Sequence, residues 1–347
     1  MSNKPKVSIV VPVYKSEKYI RKCLDSLLSQ SLKEIEIVCV NDGSPDSSLD
    51  ILKEYEKNSN NVVVIDKKNE GVWKARIDGI KKASGEYIGF LDSDDYVDSE
   101  FAEKLYKSVK QNGSDIAVCG FKRIDSLTGK TLSKEMGLDS HYIIDMKKNP
   151  EDVISLNTAL WNKIYKASIL KSIKEIENPP RILEDMMFLS LVYLSIKKIS
   201  FVDDFLYNYM VIPGSAMNTL KEDDIKIIKS SMIQVRKEYM RKNVSKNNLE
   251  ILSCIAFLHF GASLMLSVFK NDKKNFKKSY CEIVTYLNEY FPEWRSSRYL
   301  NMIYTLRHKR VNFKVAIIRK VYKCHMFRIF LEFYSFITKI LKIDIKW

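Results

Sequence analysis

Residues 85–100 read GEYIGFLDSDDYVDSE, an apolar run that ends in five carboxylates, Asp92, Asp94, Asp95, Asp98 and Glu100. Three other residue types follow upstream runs of the same character: Tyr14 after VSIVVPV, Asp42 after IEIVCVN, and Arg76 beyond NVVVID. A ring face, an acceptor, a cation and an acidic cluster together suit a nucleoside diphosphate. The ring stacks on the base, the acid reads a base N–H, and Mg²⁺ or Mn²⁺ held by carboxylates meets the phosphate oxygens. Taken singly, Tyr14 is as readily a packing ring, Asp42 a helix cap and Asp-Ser-Asp-Asp a turn. Their joint occurrence at successive strand ends is what carries the nucleotide reading.

The elements that must position these residues are legible as an alternation. Short β-branched runs at 7–13, 35–41, 61–66, 86–91 and 115–120 predict strands, and helical patterns lie near 17–30, 47–58, 71–83 and 99–112. Several strands are apolar on both faces, as in a largely parallel sheet covered by helices. Ser16, the SPDSS stretch, and Asp98 or Ser99 read as caps of the first, second and fourth helices. Open α/β sheets bind ligands beyond the carboxyl ends of their strands, where the candidate residues stand. Neither G-x-G-x-x-G nor G-x-x-x-x-G-K-[ST] occurs, which argues against dinucleotide-binding and P-loop chemistry.

From about 121 to 220 the pattern loosens into loops around DSLTGK and ENPPR, with one clear helix near 184–196. Strand signals vanish after 221, and three helical segments follow, an all-helical extension of the α/β unit. The six cysteines are scattered with no C-x-x-C pair, so they read as reduced buried thiols. The amino terminus is too short in apolar residues for a leader or a span, and no later segment reads as a transmembrane run. The formal net charge of +14 is concentrated at the end: residues 295–347 hold thirteen Lys/Arg against Glu332 and Asp344.

VSIVVPVYKSEKYIRKCLDSLLSQSLKEIEIVCVNDGSPDSS followed by NEGVWKARIDGIKKASGEYIGFLDSDDYVD resembles the amino-terminal half of family 2 glycosyltransferases, inverting enzymes of GT-A fold. ALWNKIYKASIL, RILEDMMFLSLVYL and YNYMVIPGSAMN resemble later segments of that family, so the likeness covers about residues 1–220. It implies a Rossmann-like, mostly parallel sheet flanked by helices. By position it implies Pro12, Tyr14 and Glu17 in the nucleoside pocket, Asp42 on the base, uracil in a UDP-sugar donor, and Arg76 near base and phosphates. Asp92 would serve ribose and metal, Asp94 the Mn²⁺ or Mg²⁺ directly, with Asp95 supporting them. Asp185 falls at the general base, with Glu184 as its fallback, and Ser215 at the diphosphate. Met210 stands where a basic residue is common, and Lys15 where Asn is.

The division expected is a glycosyltransferase domain at 1–220, a helical extension at 221–294 and a basic amphipathic tail at 295–347. Within the tail, residues 312–341 interleave Lys/Arg with Ile, Phe and Val, which predicts docking on an anionic membrane surface, with a core-packing helix as the alternative. Nothing accompanies the charge that would bind nucleic acid. The resemblance implies transfer to a glycan or lipid-linked glycan in bacterial surface polysaccharide, capsule or teichoic-acid synthesis, at the cytoplasmic face of the membrane. A non-catalytic nucleotide-sugar-binding protein and a membrane-associated scaffold are the rival readings.

Overall fold

VSIVVPV is buried along its whole length as β1 (Val7–Val13), because its alternate side chains face cores on both sides of a sheet. β1 pairs in parallel with β2 (Ile35–Asp42) and β4 (Tyr87–Phe90), and β2 pairs in parallel with β3 (Val62–Lys67). The computed structural model describes residues 4–212, 222–308 and 313–341. Further strands are β5 (Tyr96–Val97), β6 (Ile116–Asp125), β7 (Thr131–Glu135), β8 (Ile143–Asp145), β9 (Lys163–Lys166) and β10 (Lys198–Val211). Among the described residues they form one sheet ordered β3-β2-β1-β4-β9-β6-β10-β5, with β7 on β6 and β8 on β10. β10 runs parallel to β6, whereas β9 is antiparallel to both of its neighbours.

Helices α1 (Ile20–Leu28), α2 (Ser48–Asn58), α3 (Val72–Lys82), α4 (Phe101–Asn112), the short α5 (Ala167–Leu170) and α6 (Glu184–Tyr193) accompany this sheet. The core on one face joins Val7, Ile9 and Val11 to Ile20, Leu24 and Leu27 of α1 and to Phe101 and Leu105 of α4. On the other face α3 approaches β1 through Gly79, where a Cβ would lie 2.3 Å from Val10 Cγ1.

Two expectations change here. The region from residue 121 is not mainly loop but carries half of β6 and all of β7 to β10. Of the expected caps, Asp46 of the SPDSS stretch accepts the Ser48 N–H that opens α2 (3.1 Å), whereas no side chain caps α1 or α4. Ser16 instead shares a hydrogen bond with Ser93 (Oγ–Oγ 2.6 Å), and Asp98 accepts from Lys122 Nζ at 2.8 Å and Asn208 Nδ2 at 2.7 Å. Tertiary partners have outcompeted the local backbone for these side chains.

The chain divides into two compact units, residues 1–148 with 157–231, and residues 149–156 with 232–347. α7 (Glu222–Arg241) runs through the change of unit. The second unit holds α8 (Lys246–Ala256), a π-helical stretch Phe257–Leu264, α9 (Met265–Asn271), α10 (Phe276–Tyr290), α11 (Met302–Arg307), α12 (Phe313–Lys323) and α13 (Phe327–Leu341). The continuous helix Lys246–Asn271 is long and apolar enough to cross a membrane, contrary to the expectation that no such segment exists. Most of it is buried inside the unit, where Phe257 stacks on Trp294 at 4.7 Å between ring centroids. The tail is likewise not one helix: His325, with φ 56°, lies in the break between α12 and α13. α12 buries Val315, Ala316, Ile318 and Tyr322 as a core helix does.

The Gly79 contact makes a test. Alanine there gains about 1 kcal/mol of helix propensity but forces Val10 aside, an overpacking cost of about 1–3 kcal/mol. Gly79→Ala is expected to lower the urea midpoint of the α/β unit; an unchanged or raised midpoint would show that α3 can retreat from β1 freely.

Candidate active site

The acids after β4 meet a cation delivered from α3. Asp42, at the end of β2, is buried, and its two carboxylate oxygens accept the backbone N–H of Glu70 (2.9 Å) and Gly71 (2.8 Å). Gly71 flanks the start of α3 with φ +91°, a conformation that glycine adopts without strain. Asp42 thereby fixes where α3 begins, and one turn later α3 carries Arg76 into the interior, where it is 3% exposed.

The Arg76 guanidinium joins three carboxylates from two distant stretches of chain. Nη2 donates to Asp92 Oδ1 at 3.2 Å, and Nη1 donates to Asp185 Oδ1 at 2.5 Å and to Glu184 Oε1 at 3.3 Å. Glu184 and Asp185 open α6 directly after Leu183, a non-glycine residue at φ +63°. Such a conformation costs about 1–3 kcal/mol and persists where surrounding structure imposes it, often at functional sites.

One cation does not balance these acids. Burial raises Asp92 to about 6, with Arg76 opposing and Asp185 and Asp94 adding to the rise. Burial, then neighbouring Asp185, pushes Glu184 up to about 8 against the pull of Arg76. Asp95 is raised well above the ordinary carboxylate range, first by burial and then by Asp94 and Asp92, although Tyr207 Oη (2.6 Å) and Met210 N (2.7 Å) both donate to it. Asp94 is raised by burial and makes no ion pair with any described residue.

The remaining predicted residues that are described lie in β1 and in the loop that follows it. Pro12 is buried within β1, and Tyr14, just past β1, is 46% exposed with Lys15 Nζ 5.2 Å from its ring. The Tyr14 loop is tied to the Asp42 loop by Lys15 N donating to Ser44 Oγ (3.2 Å), and to the acidic turn through Ser16 and Ser93. Glu17 is exposed, and its carboxylate accepts from Ser47 N at 3.0 Å. Ser215 lies outside the described residues.

Sequence reasoning assigned no role to Tyr207 or Lys163. Tyr207 donates to Asp95, stacks on Trp161 at 4.2 Å and lies 3.4 Å from the Asp92 amide. Lys163, 1% exposed on β9, donates to the carbonyls of Asn157 (3.0 Å) and Ala159 (2.6 Å) and to Asn162 Oδ1 (2.6 Å). Burial lowers it to about 7. The Trp-Asn-Lys stretch at 161–163 was the available signal for both.

Among the described residues no group of three His, Cys, Asp or Glu side chains could cage a metal ion. The donor set does fit a hard divalent cation that takes one or two carboxylates and completes its shell with ligand phosphates. Asp94 is a half-buried carboxylate without a cationic partner, and Asp92 is its neighbour.

A largely parallel sheet flanked by helices, with an all-helical unit after it, is an α/β architecture of the GT-A type. The chain belongs to the family 2 glycosyl transferases, whose family model matches residues 8–173. It is 30% identical over 223 residues to glycosyltransferase GlyG of Streptococcus pneumoniae, covering 61% of this chain and 73% of that one. It is 40% identical over 246 residues to the poly(ribitol-phosphate) beta-glucosyltransferase of Bacillus spizizenii, covering 66% of this chain but only 38% of that relative's length. Residues 1–349 of S. aureus TarS, crystallised with UDP-GlcNAc, have the same fold, with a TM-score of 0.69 at 24% identity over 92% of both chains.

The raised acids predict a pH dependence. Folded Glu184 keeps its proton to about 8, whereas an unfolded glutamate loses it near 4.5, so the folded state binds more protons in between. Its contribution to stability therefore falls as pH rises through that window. Glu184→Gln is expected to flatten the fall of the thermal midpoint from about pH 5 to about pH 8 relative to the parent. Identical slopes in the two proteins would mean that Glu184 titrates as an exposed carboxylate.

Proposed function

We propose that the chain transfers a sugar, with inversion, from a UDP-sugar to a hydroxyl of a polyol or glycan acceptor during synthesis of a bacterial cell-surface polymer, teichoic acid or capsule. The observation that carries this reading is the Arg76 junction, which unites the acids after β4 with the acid pair that opens α6. A donor's leaving diphosphate and an acceptor hydroxyl must meet at one carbon, so groups serving each must converge. The relative named for beta-glucosyl transfer to poly(ribitol-phosphate) and the fold shared with a UDP-GlcNAc complex support the choice of donor and acceptor.

Inversion in a single displacement needs no enzyme nucleophile. Asp185 takes the acceptor proton as the hydroxyl attacks, a contribution of about 10²–10⁴-fold. Its ion pair with Arg76 orients the carboxylate, while protonated Glu184 leaves that task to its neighbour. Tyr14 offers its exposed ring to the base, with Pro12 and Glu17 beside it in the nucleoside pocket. Asp42 accepts from the uracil N–H with the lone pairs not used on Glu70 and Gly71, and Arg76 stays near base and phosphates. Asp92 serves the ribose. Mn²⁺ or Mg²⁺ on Asp94 and Asp92 would neutralise charge on the leaving diphosphate as a Lewis acid. By the family resemblance, Ser215 donates to the diphosphate.

Asp94→Ala is expected to abolish Mn²⁺-dependent UDP binding, whereas Asp185→Asn keeps UDP affinity and loses about 10²–10⁴-fold in transfer. Calorimetry on both variants separates the roles, and equal loss of UDP binding would refute them.

A second partner is favoured by one further observation. α13 buries Phe327, Leu331 and Tyr334 yet exposes Ile329 (61%), Phe333 (63%) and Phe336 (62%) on another face. A helix apolar on two sides beside Arg328 and Lys323 suits the interface of an anionic membrane, which would set the protein on the cytoplasmic face. Replacing Ile329, Phe333 and Phe336 by Glu should abolish flotation with phosphatidylglycerol vesicles; undiminished flotation would rule α13 out.

A further inference from the structure

The helical unit contains a second charged site, opposite in sign to the first. A cleft of about 540 Å³ is lined by Arg298, Arg307, Arg319 and Lys323, with Tyr304 and His308 as an aromatic wall. Tyr304 and His308 stack at 3.9 Å between ring centroids, and His308 Nδ1 lies 3.0 Å from the Tyr304 carbonyl, so that wall is braced. Among the described residues none of the four cations makes an ion pair. The carboxylates close by are engaged elsewhere: Glu250 Oε1 accepts from Ser297 Oγ (2.7 Å) and Arg298 N (2.9 Å), and Glu151 Oε1 accepts from Tyr304 Oη (2.5 Å).

Two of the four cations are anchored at the cleft wall, whereas Arg307 and Lys323 are exposed. Arg298 donates to Tyr299 Oη at 2.8 Å and lies over that ring at 4.8 Å. Arg319 is 7% exposed, and its guanidinium donates to the Ser297 carbonyl. A buried guanidinium without a counter-ion is costly to fold around, and like charges nearby add to that cost. In keeping with this, burial lowers Arg319 despite Glu250, and burial together with Arg319 and Arg295 lowers Lys323.

We propose that this cleft binds a phosphodiester group of an anionic polyol-phosphate acceptor, so that the helical unit holds the chain whose hydroxyls the α/β unit glycosylates. The inference rests on the acceptor reading given above. A phosphodiester carries one negative charge on two free oxygens, which forked Arg donors match and the cations lining the cleft attract. The volume accommodates the phosphate with an adjoining polyol, and the relative named for poly(ribitol-phosphate) acts on such a polymer.

The test uses the full chain and the double variant Arg307→Gln/Lys323→Gln, two exposed residues whose neutralisation relieves repulsion and spares the core. Three probes are used: synthetic octa(ribitol phosphate), inorganic phosphate and phosphatidylglycerol vesicles. The variant is expected to bind the octamer about tenfold more weakly or worse, with a shallower salt dependence, and to raise the acceptor KM correspondingly. Its kcat and UDP affinity stay within about twofold of the parent, since neither residue belongs to the catalytic machinery. Phosphate should raise the thermal midpoint of the parent and not of the variant. Unchanged octamer affinity overturns the proposal, as does loss of vesicle binding alone, which would make the cleft a lipid site. A parent that answers to phosphate but neither binds nor glycosylates the octamer overturns the acceptor reading, and this inference with it. Transfer to the octamer with an unaltered KM in the variant overturns the inference while that reading stands.

Discussion

The site depends on one buried guanidinium. Arg76 is shared among Asp92, Glu184 and Asp185, residues separated by about ninety positions in the chain, and no other described cation makes an ion pair with them. Removing one partner from a buried ion pair costs about 3–5 kcal/mol, because the remaining charge stays in low dielectric. Here one cation serves three acids; burial first, and then the neighbouring acids, raises Asp92 and Glu184. The junction is poised toward gaining positive charge or keeping protons.

Much of the surrounding structure holds Arg76 and its acids in register. Asp42 fixes the start of α3 through the Glu70 and Gly71 amides, and so sets the height at which Arg76 enters. Gly79, three residues beyond Arg76, lets α3 lie against β1, so helix and strand share a spacing that a larger residue would widen. On the far side, Tyr207 and the Met210 amide secure Asp95, which steadies the turn bearing Asp92 and Asp94. Met210, which the family resemblance places at a commonly basic position, contributes its backbone N–H to Asp95.

The parallel half of the sheet was legible because its strands are unbroken apolar runs followed by chemically distinctive residues. β10 was not, although it is the longest strand described: Asp203 and Asp204 interrupt it where its register against β6 shifts, between Val202 and Phe205. β7 is short, polar and mostly exposed, so nothing in its pattern separates it from loop. Within the site, Asp92, Asp94 and Arg76 stand at strand and helix positions that local pattern reveals. That Glu184 and Asp185 meet the same guanidinium was not legible locally, since the contact depends on how α6 and α3 meet. Lys163 was hidden for a related reason, because a charged residue in a short strand reads as exposed until its three acceptors are seen.

The formal charge of +14 conceals two local imbalances of opposite sign. A nucleoside diphosphate is anionic, and in the α/β unit it would face Asp92, Asp94 and Asp95, with Arg76 already committed to carboxylates. Attraction across such a surface requires a mobile cation between the two anions, which is the physical reason an acid cluster can serve a negatively charged ligand. In the helical unit the argument reverses: Arg298, Arg307, Arg319 and Lys323 already carry the positive charge, and an anion needs no intermediary. On the proposed reaction, two anionic substrates would be told apart by the same protein, one through a metal and one through guanidinium groups. The two kinds of recognition should then differ in their response to chelators and to salt.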